Sequence, residues 1–338
     1  MNFQSDNAAS VCPEVLAAVV EANVSTTGAY DADPWTERLD AVYSEVFATA
    51  CTVLPVSTGT AANALSLAAM VPPYGAVACH AEAHIHVDEC GAPEFFTGGA
   101  KLLTCQGLDG KLSPESVAAS LAAHRGGVHQ VQIGALSITQ ATECGTIYTP
   151  DEVAALSDYA KSRGWKVHMD GARFANALVS LGCRPADITS NAGVDILSLG
   201  VIKNGGMTAE AMVIFDPALV EAIRFRRKRA GQMPSKGRFN AAQLLAYVET
   251  NAWLRNAARA NAGAARLAAA LGDRIAYPAE ANEVFADLGP GGADSLRNAG
   301  FTFYDWGDPA DHIARFVVAW DTPDGNVEAL AAAVARRA

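Results

Sequence analysis

Seven short apolar runs alternate with alanine-rich helical stretches between residues 50 and 215, and this alternation limits the fold more than any other feature. The runs cover residues 51–55, 76–79, 101–104, 130–138, 166–169, 196–199 and 212–215. Near-continuous apolar character is typical of strands covered on both faces, and the segments 60–70, 114–124 and 150–163 read as helical crossovers. The pattern predicts an α/β fold around a largely parallel sheet, with ligand-binding residues along one edge.

The composition changes at about residue 240. A long helix rich in alanine, leucine and asparagine is predicted over residues 240–271, followed by mixed strands and a terminal helix over 325–337. No linker rich in Pro, Gly or Ser separates the two parts, so the junction is predicted to be continuous helix. We expect an N-terminal arm and large domain over residues 1–240 and a smaller C-terminal α/β domain over residues 241–338.

The charge balance excludes several classes of partner. The net charge is −11, from 25 basic and 36 acidic residues, which opposes binding to nucleic acid or to an anionic membrane. No apolar run approaches the ~18 residues of a membrane span, and the first seven residues lack the features of a signal peptide. Seven scattered cysteines without a Cys-x-x-Cys pair favour reduced thiols. We therefore expect a cytoplasmic protein that acts on a small molecule.

A lysine and an aspartate follow two of the apolar runs. Lys203 lies just beyond the run 196–199, Asp170 directly follows the run 166–169, and Arg173 comes three residues after Asp170. Each residue alone fits an ordinary loop or turn. Together, at neighbouring strand ends, they suit pyridoxal 5'-phosphate, which needs an amine for a Schiff base and an acid beside its pyridine nitrogen.

A candidate phosphate-binding segment lies between the first run and the helix that follows it. Residues 57–60 read Ser-Thr-Gly-Thr, so backbone N–H groups, hydroxyls and the positive end of a helix dipole come together there. The segment also fits a simple capped helix start, and it lacks the lysine of a Walker loop. In a chain with the lysine and aspartate described above, we expect Thr58, Gly59 and Thr60 to bind the phosphate.

The segment that contains His84, His86 and Asp88 suits either of two kinds of site. Its His-x-His-x-Asp pattern also fits a metal hydrolase. The remaining histidines are His80, His124, His129, His168 and His312. They supply few ligands for a dinuclear site, whereas stacking of one histidine on an aromatic cofactor accounts for the presence of His84. We expect no metal and retain the hydrolase as an alternative.

Three further polar residues accompany apolar runs. His129 comes at the start of the fourth run, where a surface loop histidine is the alternative, and Gln140 comes at its polar end. Arg315 lies in the apolar segment 314–320 and could bind a substrate carboxylate bidentately. A structural ion pair with an aspartate at 305, 308, 311 or 321 is the alternative for this arginine.

Six short motifs occur in register over almost the whole chain. They are Ser5-Asp6-Asn7, Tyr30-Asp31-Ala32-Asp33-Pro34, Ser57-Thr58-Gly59-Thr60, residues 88–96, Asp170-Gly171-Ala172-Arg173 and Lys203-Asn204-Gly205. In this order they resemble the low-specificity L-threonine aldolases. The resemblance implies a fold-type I pyridoxal phosphate enzyme, with a mostly parallel mixed sheet, that works as a homodimer or homotetramer with shared active sites.

The resemblance also implies a reaction. It is the retro-aldol cleavage of L-threonine, L-allo-threonine and related L-β-hydroxy-α-amino acids, including phenylserine, to glycine and an aldehyde. An aminotransferase or a β-eliminating lyase of the same fold is the nearest alternative. The identity of the base that takes the β-hydroxyl proton stays open among His84, His129 and a water molecule.

Individual roles follow from the resemblance. At the cofactor it implies Lys203 as the Schiff-base lysine, Asp170 at the pyridine nitrogen, His84 on the ring, the segment 58–60 at the phosphate, and Gln140 and Arg173 nearby. At the substrate it implies Ser5, Arg173 and Arg315 around the carboxylate, His129 near the β-hydroxyl, and Tyr30 entering the site of a partner subunit. Many relatives carry an arginine where this chain has Pro234, and Lys236 is the expected substitute at the partner's phosphate.

Overall fold

The larger of two sheets holds seven strands in the computed structural model, which describes residues 1–336. These strands are β1 (Thr52–Val56), β2 (Gly75–His80), β3 (Lys101–Cys105), β4 (Gln132–Thr139), β5 (Lys166–Gly171), β6 (Ile196–Leu199) and β7 (Glu210–Ile214). Their spatial order is β1-β7-β6-β5-β4-β2-β3. β7 runs antiparallel to both neighbours, whereas all other pairs are parallel. The predicted α/β fold with a mostly parallel mixed sheet is confirmed.

Thirteen α-helices accompany the sheets within the described residues. They are α1 (Pro13–Glu21), α2 (Pro34–Val46), α3 (Gly59–Met70), α4 (His84–Val87), α5 (Ala92–Thr97), α6 (Pro114–Ser120), α7 (Pro150–Lys161), α8 (Phe174–Leu181), α9 (Val220–Arg229), α10 (Arg238–Glu249), α11 (Ala252–Leu271), α12 (Gly292–Asn298) and α13 (Asp324–Ala335). The predicted starts of α6 and α7 are correct because Ser113 and Thr149 cap them, each with a proline in the first turn. α6 ends four residues before the predicted residue 124.

The predicted continuous helix over 240–271 is wrong. Asn251 adopts a left-handed conformation with φ of 57°, which ends α10 and begins α11 in a new direction. Asparagine tolerates this region better than most residues, so the break costs little. Just before it, the Thr250 hydroxyl donates a hydrogen bond to the Ala246 carbonyl at 2.6 Å. Asn251, which the sequence placed inside one long helix, instead separates two helices.

A smaller antiparallel sheet has the order β8-β10-β9, with β8 (Glu283–Asp287), β9 (Tyr304–Trp306) and β10 (Ile313–Val317). Its core contains Leu267 of α11 and also Phe3 of the N-terminal arm. α10 and the first turns of α11 instead pack into the core of the larger sheet through residues such as Tyr247 and Trp253. We propose that the domain boundary lies within α11 rather than at residue 240, with the first residues of the arm docked on the smaller domain.

The topology brings chemically active residues to one edge of the larger sheet. The carboxyl ends of β4, β5 and β6 meet there, and the amino end of α3 faces them. Gly200 follows β6 at a point where a Cβ would lie 2.4 Å from the Ala172 carbonyl oxygen, so only glycine fits this approach. Within residues 1–336 the helices are too short or too polar to cross a membrane.

Candidate active site

Two adjoining cavities open at this edge of the sheet. The first, of about 280 Å³, lies at the strand ends and is lined by residues that include Thr58, Gly59, Thr60, Asp170 and Lys203. The second, of about 490 Å³, extends toward the smaller domain and includes Ser5, Tyr277, Trp306 and Arg315. We call them the strand-end cavity and the outer cavity. Both are lined by Asn7, His84, Glu143, Arg173 and Lys203.

Lys203 lies in a 3-10 turn, Ile202–Asn204, directly after β6. The backbone N–H groups of Val201 and Ile202 donate to the buried carboxylate of Glu210 at 2.9 and 3.2 Å. The side-chain amide of Asn204 donates to the Tyr247 hydroxyl and to the Trp253 carbonyl at 2.7 and 2.8 Å. The turn is therefore fixed on both sides of the lysine, whose side chain belongs to the lining of both cavities.

Asp170 is held in place at the end of β5. Its Oδ1 accepts the N–H of Ala172 at 3.0 Å, and its Oδ2 accepts the Asn63 amide at 2.7 Å. The same amide donates to Glu89 Oε1 at 2.8 Å, and Glu89 Oε1 lies 2.9 Å from His84 Nδ1. The bond to Glu89 raises the pKa of His84, and burial raises the pKa of Glu89. A single asparagine thus connects the aspartate with the histidine at the cavity wall.

The amino end of α3 has the features of an anion site. The Thr58 hydroxyl accepts the N–H of Ala61 at 3.1 Å and so caps the helix. Thr58 and Gly59 are exposed, and a Cβ at Gly59 would meet open space within 4 Å. Since α3 runs for twelve residues, its dipole and its free N–H groups favour a phosphate at this end.

The two predicted carboxylate-binding arginines have different surroundings. Arg173 is almost fully buried, it donates to both oxygens of Asp6 at 2.9 and 3.0 Å, and its Nη1 lies 3.0 Å from Glu283 Oε2. Arg315 Nε is 3.6 Å from Glu283 Oε1 and donates no hydrogen bond within residues 1–336. The Nη2 of Arg315 makes one long contact, 3.4 Å from the Gln4 carbonyl oxygen. Arg315 therefore keeps capacity to bind a carboxylate, whereas Arg173 is already neutralised by two acids.

Gln140 does not belong to the site. Its side chain is fully buried, its Nε2 donates to the Tyr148 carbonyl at 2.8 Å, and its Oε1 accepts the Tyr148 N–H at 3.0 Å. Both ends of the amide are therefore used to hold the chain after β4. The expectation that Gln140 contacts the cofactor is corrected, and the neighbouring Ala141 lines the strand-end cavity instead.

His129 lies at the wrong end of β4 to reach the cavities of its own chain. It is exposed in the loop before Gln132, whereas the site residue Thr139 ends the strand. Seven residue steps at ~3.3 Å each separate the two ends by roughly 23 Å. The expected contact with the β-hydroxyl is therefore corrected for a single protomer. Only a second copy of the chain could bring this histidine to the site.

Tyr30 and Lys236 also lie outside both cavities, as expected for residues that serve a partner subunit. They are neighbours, since the Tyr30 N–H donates to the Ser235 carbonyl at 3.1 Å. Tyr30 is half exposed, with a positive φ of 53°, and the Lys228 ammonium lies 4.3 Å from its ring centre. These two assignments stay predictions.

The metal alternative loses its predicted ligand set. His86 and Asp88 are exposed, and His86 contributes to neither cavity. The close group of possible ligands is instead His84, Glu89 and Asp170, whose ligand atoms lie within 4.8 Å of one another. Those atoms are already joined through the Asn63 amide, which accounts for their proximity.

Several buried acids of the site were missed by the sequence reasoning. Glu89 and Glu283 pair with His84 and Arg173 as described, and burial raises the pKa of Glu210 and of Glu143 to about 7 each. Glu143 follows β4 in a segment that reads as an ordinary turn, so its sequence carried no signal. Asn63 could have been found, because it lies three residues after Thr60 on the same face of α3.

The comparisons with known proteins agree with this geometry. Residues 2–289 match the Beta-eliminating lyase family. The chain is 42% identical over 334 residues to the low specificity L-threonine aldolase of a Pseudomonas species, covering 98% of this chain and 96% of that protein. The corresponding enzyme of Pseudomonas aeruginosa is 43% identical over 333 residues, covering 97% and 95%.

Solved structures give the same picture. The threonine aldolase of Leishmania major superposes with a TM-score of 0.92 at 28% identity, covering 99% of this chain and 98% of that one. The aspartate aminotransferase of Thermus thermophilus superposes with a TM-score of 0.71 at 15% identity, covering 98% and 89%. The second likeness concerns the fold alone.

Proposed function

Because the chain belongs to the low-specificity L-threonine aldolases within the Beta-eliminating lyase family, we propose that it cleaves L-threonine, L-allo-threonine and related L-β-hydroxy-α-amino acids, including phenylserine. The products are glycine and an aldehyde. The protein is a fold-type I lyase that depends on pyridoxal 5'-phosphate. The observation that carries the proposal is that Lys203, Asp170 and the amino end of α3 surround one cavity.

The donor set of the strand-end cavity fits this cofactor. An amine, a fixed carboxylate and an exposed helix amino end are the three partners that its aldehyde, pyridine nitrogen and phosphate require. Lys203 would hold the aldehyde as a Schiff base, Asp170 the pyridine nitrogen, and Thr58, Gly59 and Thr60 the phosphate, with His84 on the ring. When bound, the cofactor supplies a ring that withdraws electrons from the bond that breaks.

The protein's own residues orient the substrate. Arg315 and Ser5 line the outer cavity, and Arg315 has free donors for the substrate carboxylate. Holding that carboxylate fixes which bond at Cα faces the ring, and this orientation selects cleavage of Cα–Cβ over loss of a proton. Asn63 keeps Asp170 in position by donating to its Oδ2.

We also propose that the active sites are shared between copies of the chain in a homodimer or homotetramer, in the cytoplasm. His129, Tyr30 and Lys236 are exposed or half exposed and lie away from the cavities of their own protomer. An exposed apolar face on and after α1, with Leu16, Val20 and Val24 at 48, 68 and 43% exposure, supports burial against another subunit.

The experiment that tests the function combines a spectrum with product analysis. Purified protein should absorb in the visible range as a Schiff base, lose that band on borohydride treatment, and convert L-threonine to equimolar glycine and acetaldehyde. Lys203→Ala should lose the covalent band and the cleavage together, whereas Lys101→Ala, an exposed lysine on β3, should keep both. A coloured wild type that yields no glycine from any β-hydroxy-amino acid would overturn the proposal.

A further inference from the structure

Cleavage of Cα–Cβ, the reaction of the proposed function on which this inference rests, requires a group that accepts the β-hydroxyl proton. His129 lies at the opposite end of β4 in its own protomer. His84 is already engaged, because its Nδ1 lies 2.9 Å from Glu89 Oε1 and its ring is the group expected on the cofactor. Within one protomer, His129 is therefore out of reach and His84 is committed to other contacts.

Glu143 has the geometry that the two histidines lack. Its side chain lines the strand-end cavity and the outer cavity alike. One oxygen, Oε1, is fixed by the backbone N–H of His84 at 2.8 Å and by the Thr139 hydroxyl at 2.9 Å. The other oxygen, Oε2, is buried and accepts no hydrogen bond from residues 1–336. One oxygen of the carboxylate is thus fixed by two donors, and the other has no hydrogen-bond partner among the described residues.

We propose that Glu143 is the catalytic base that takes the β-hydroxyl proton of the substrate through Oε2. The O–H bond breaks and its electron pair forms the second bond of the aldehyde carbonyl. The electron pair of the Cα–Cβ bond stays with Cα, which takes up a proton from solvent to complete glycine and so balances the proton removed from the β-hydroxyl. The proton on Oε2 is released to solvent before the next turnover. The step is redox-neutral and needs no further reactant.

The charged surroundings of Glu143 suit this task. The ionisable groups that line the same two cavities as Glu143 are Glu82, His84, Asp88, Asp170, Arg173, Lys203, Glu210, Tyr277, Glu283 and Arg315. Burial raises the pKa of Glu143 to about 7, and the charge of Asp170 adds to the rise. A carboxylate with this pKa is basic enough to accept a proton and is still ionised in a large fraction of molecules near neutral pH.

The test is Glu143→Gln, which keeps an acceptor for Thr139 and His84 but removes the basic oxygen. The kcat for L-threonine and for phenylserine should fall by about 10²–10⁴-fold, the usual contribution of a positioned base. The Schiff-base spectrum should be retained, as should exchange of the glycine α-proton in deuterated water, because that reaction involves no β-hydroxyl. The kcat of the wild type should depend on a group with a pKa of about 7, and this dependence should disappear in the variant.

Glu143→Asp should retain more of the wild-type cleavage rate than Glu143→Gln does. Glu328 is an exposed glutamate on α13, and Glu328→Gln controls for the loss of one charge. Infrared difference spectra of the holoenzyme above and below pH 7 should contain protonated carboxyl absorption from Glu143 and Glu210, and Glu143→Gln should remove the Glu143 part and leave that of Glu210. Full cleavage by Glu143→Gln, or parallel losses of cleavage and glycine exchange, would overturn the inference. A wild type that exchanges glycine but cleaves no substrate would instead overturn the proposed function.

Discussion

Replacement of Glu143 by glutamine should stabilise the folded protein at high pH, independently of any effect on catalysis. Burial raises the pKa of Glu143 from its ordinary value of 4.5 to about 7. Between these two values the folded protein binds more protons at this residue than the unfolded chain, so its stability falls as pH rises. Glutamine does not titrate, and the variant escapes this loss.

The magnitude follows from the two pKa values. At about pH 8.5 the ionised glutamate lowers the free energy of unfolding by about 3.4 kcal/mol, because each pH unit between the two pKa values contributes about 1.36 kcal/mol. At about pH 5 the same linkage gives only about 0.8 kcal/mol. The stability of Glu143→Gln relative to the wild type should therefore rise by about 2.5 kcal/mol between these pH values.

Urea unfolding of wild type, Glu143→Gln and Glu328→Gln at both pH values measures this difference. A buried glutamine amide has its own cost, but that cost is the same at each pH and cancels. Glu210, whose pKa is also raised to about 7 by burial, is present in all three proteins and cancels as well. A difference between variant and wild type that does not change with pH would refute the reasoning, because Glu143 would then ionise freely in the folded state.

Two further predictions concern the arginines and the turn before the lysine. Arg315→Lys should raise the KM for threonine by about 10- to 100-fold with little effect on stability. Arg173→Gln should instead lower the free energy of unfolding by about 3–5 kcal/mol, because Asp6 and Glu283 lose their buried partner. Equal effects of the two changes on stability in urea would contradict the assignment. Gly200→Ala places a Cβ 2.4 Å from the Ala172 carbonyl oxygen and should weaken cofactor binding by displacing the Lys203 turn. Titration with the cofactor measures this effect. The control Gly325→Ala, where a Cβ meets open space, should leave the titration unchanged.

Much of the fold could be predicted from the sequence because local patterns determine it. All seven strands of the larger sheet lie within a few residues of the predicted runs. The failure at Asn251 arises because one residue with positive φ ends a helix without interrupting the helical pattern on either side. The docking of Phe3 on the smaller domain depends on contacts between residues distant in sequence, and no local pattern reports them.

The site was predictable only in part, for a physical reason. Lys203, Asp170 and residues 58–60 are adjacent to strand ends or a helix start, so topology alone brings them together. Gln140 also follows a strand end, but a side chain there can face the cavity or the chain behind it, and sequence does not distinguish these directions. Glu143 lies three residues further on, and its position depends on hydrogen bonds from His84 and Thr139, which no local sequence pattern reports.

The buried acids of this site connect stability with activity. An unpaired carboxylate is costly to bury, and the same cost raises its pKa toward the value at which a base works at neutral pH. Replacing Glu143 by a neutral residue should therefore give a more stable protein that cleaves its substrate slowly. The bond between Asn63 and Asp170 does not carry this conflict, because the Asp170 carboxyl has a hydrogen-bond donor there. Substitutions selected only for thermal stability should therefore accumulate at Glu143 rather than at Asn63.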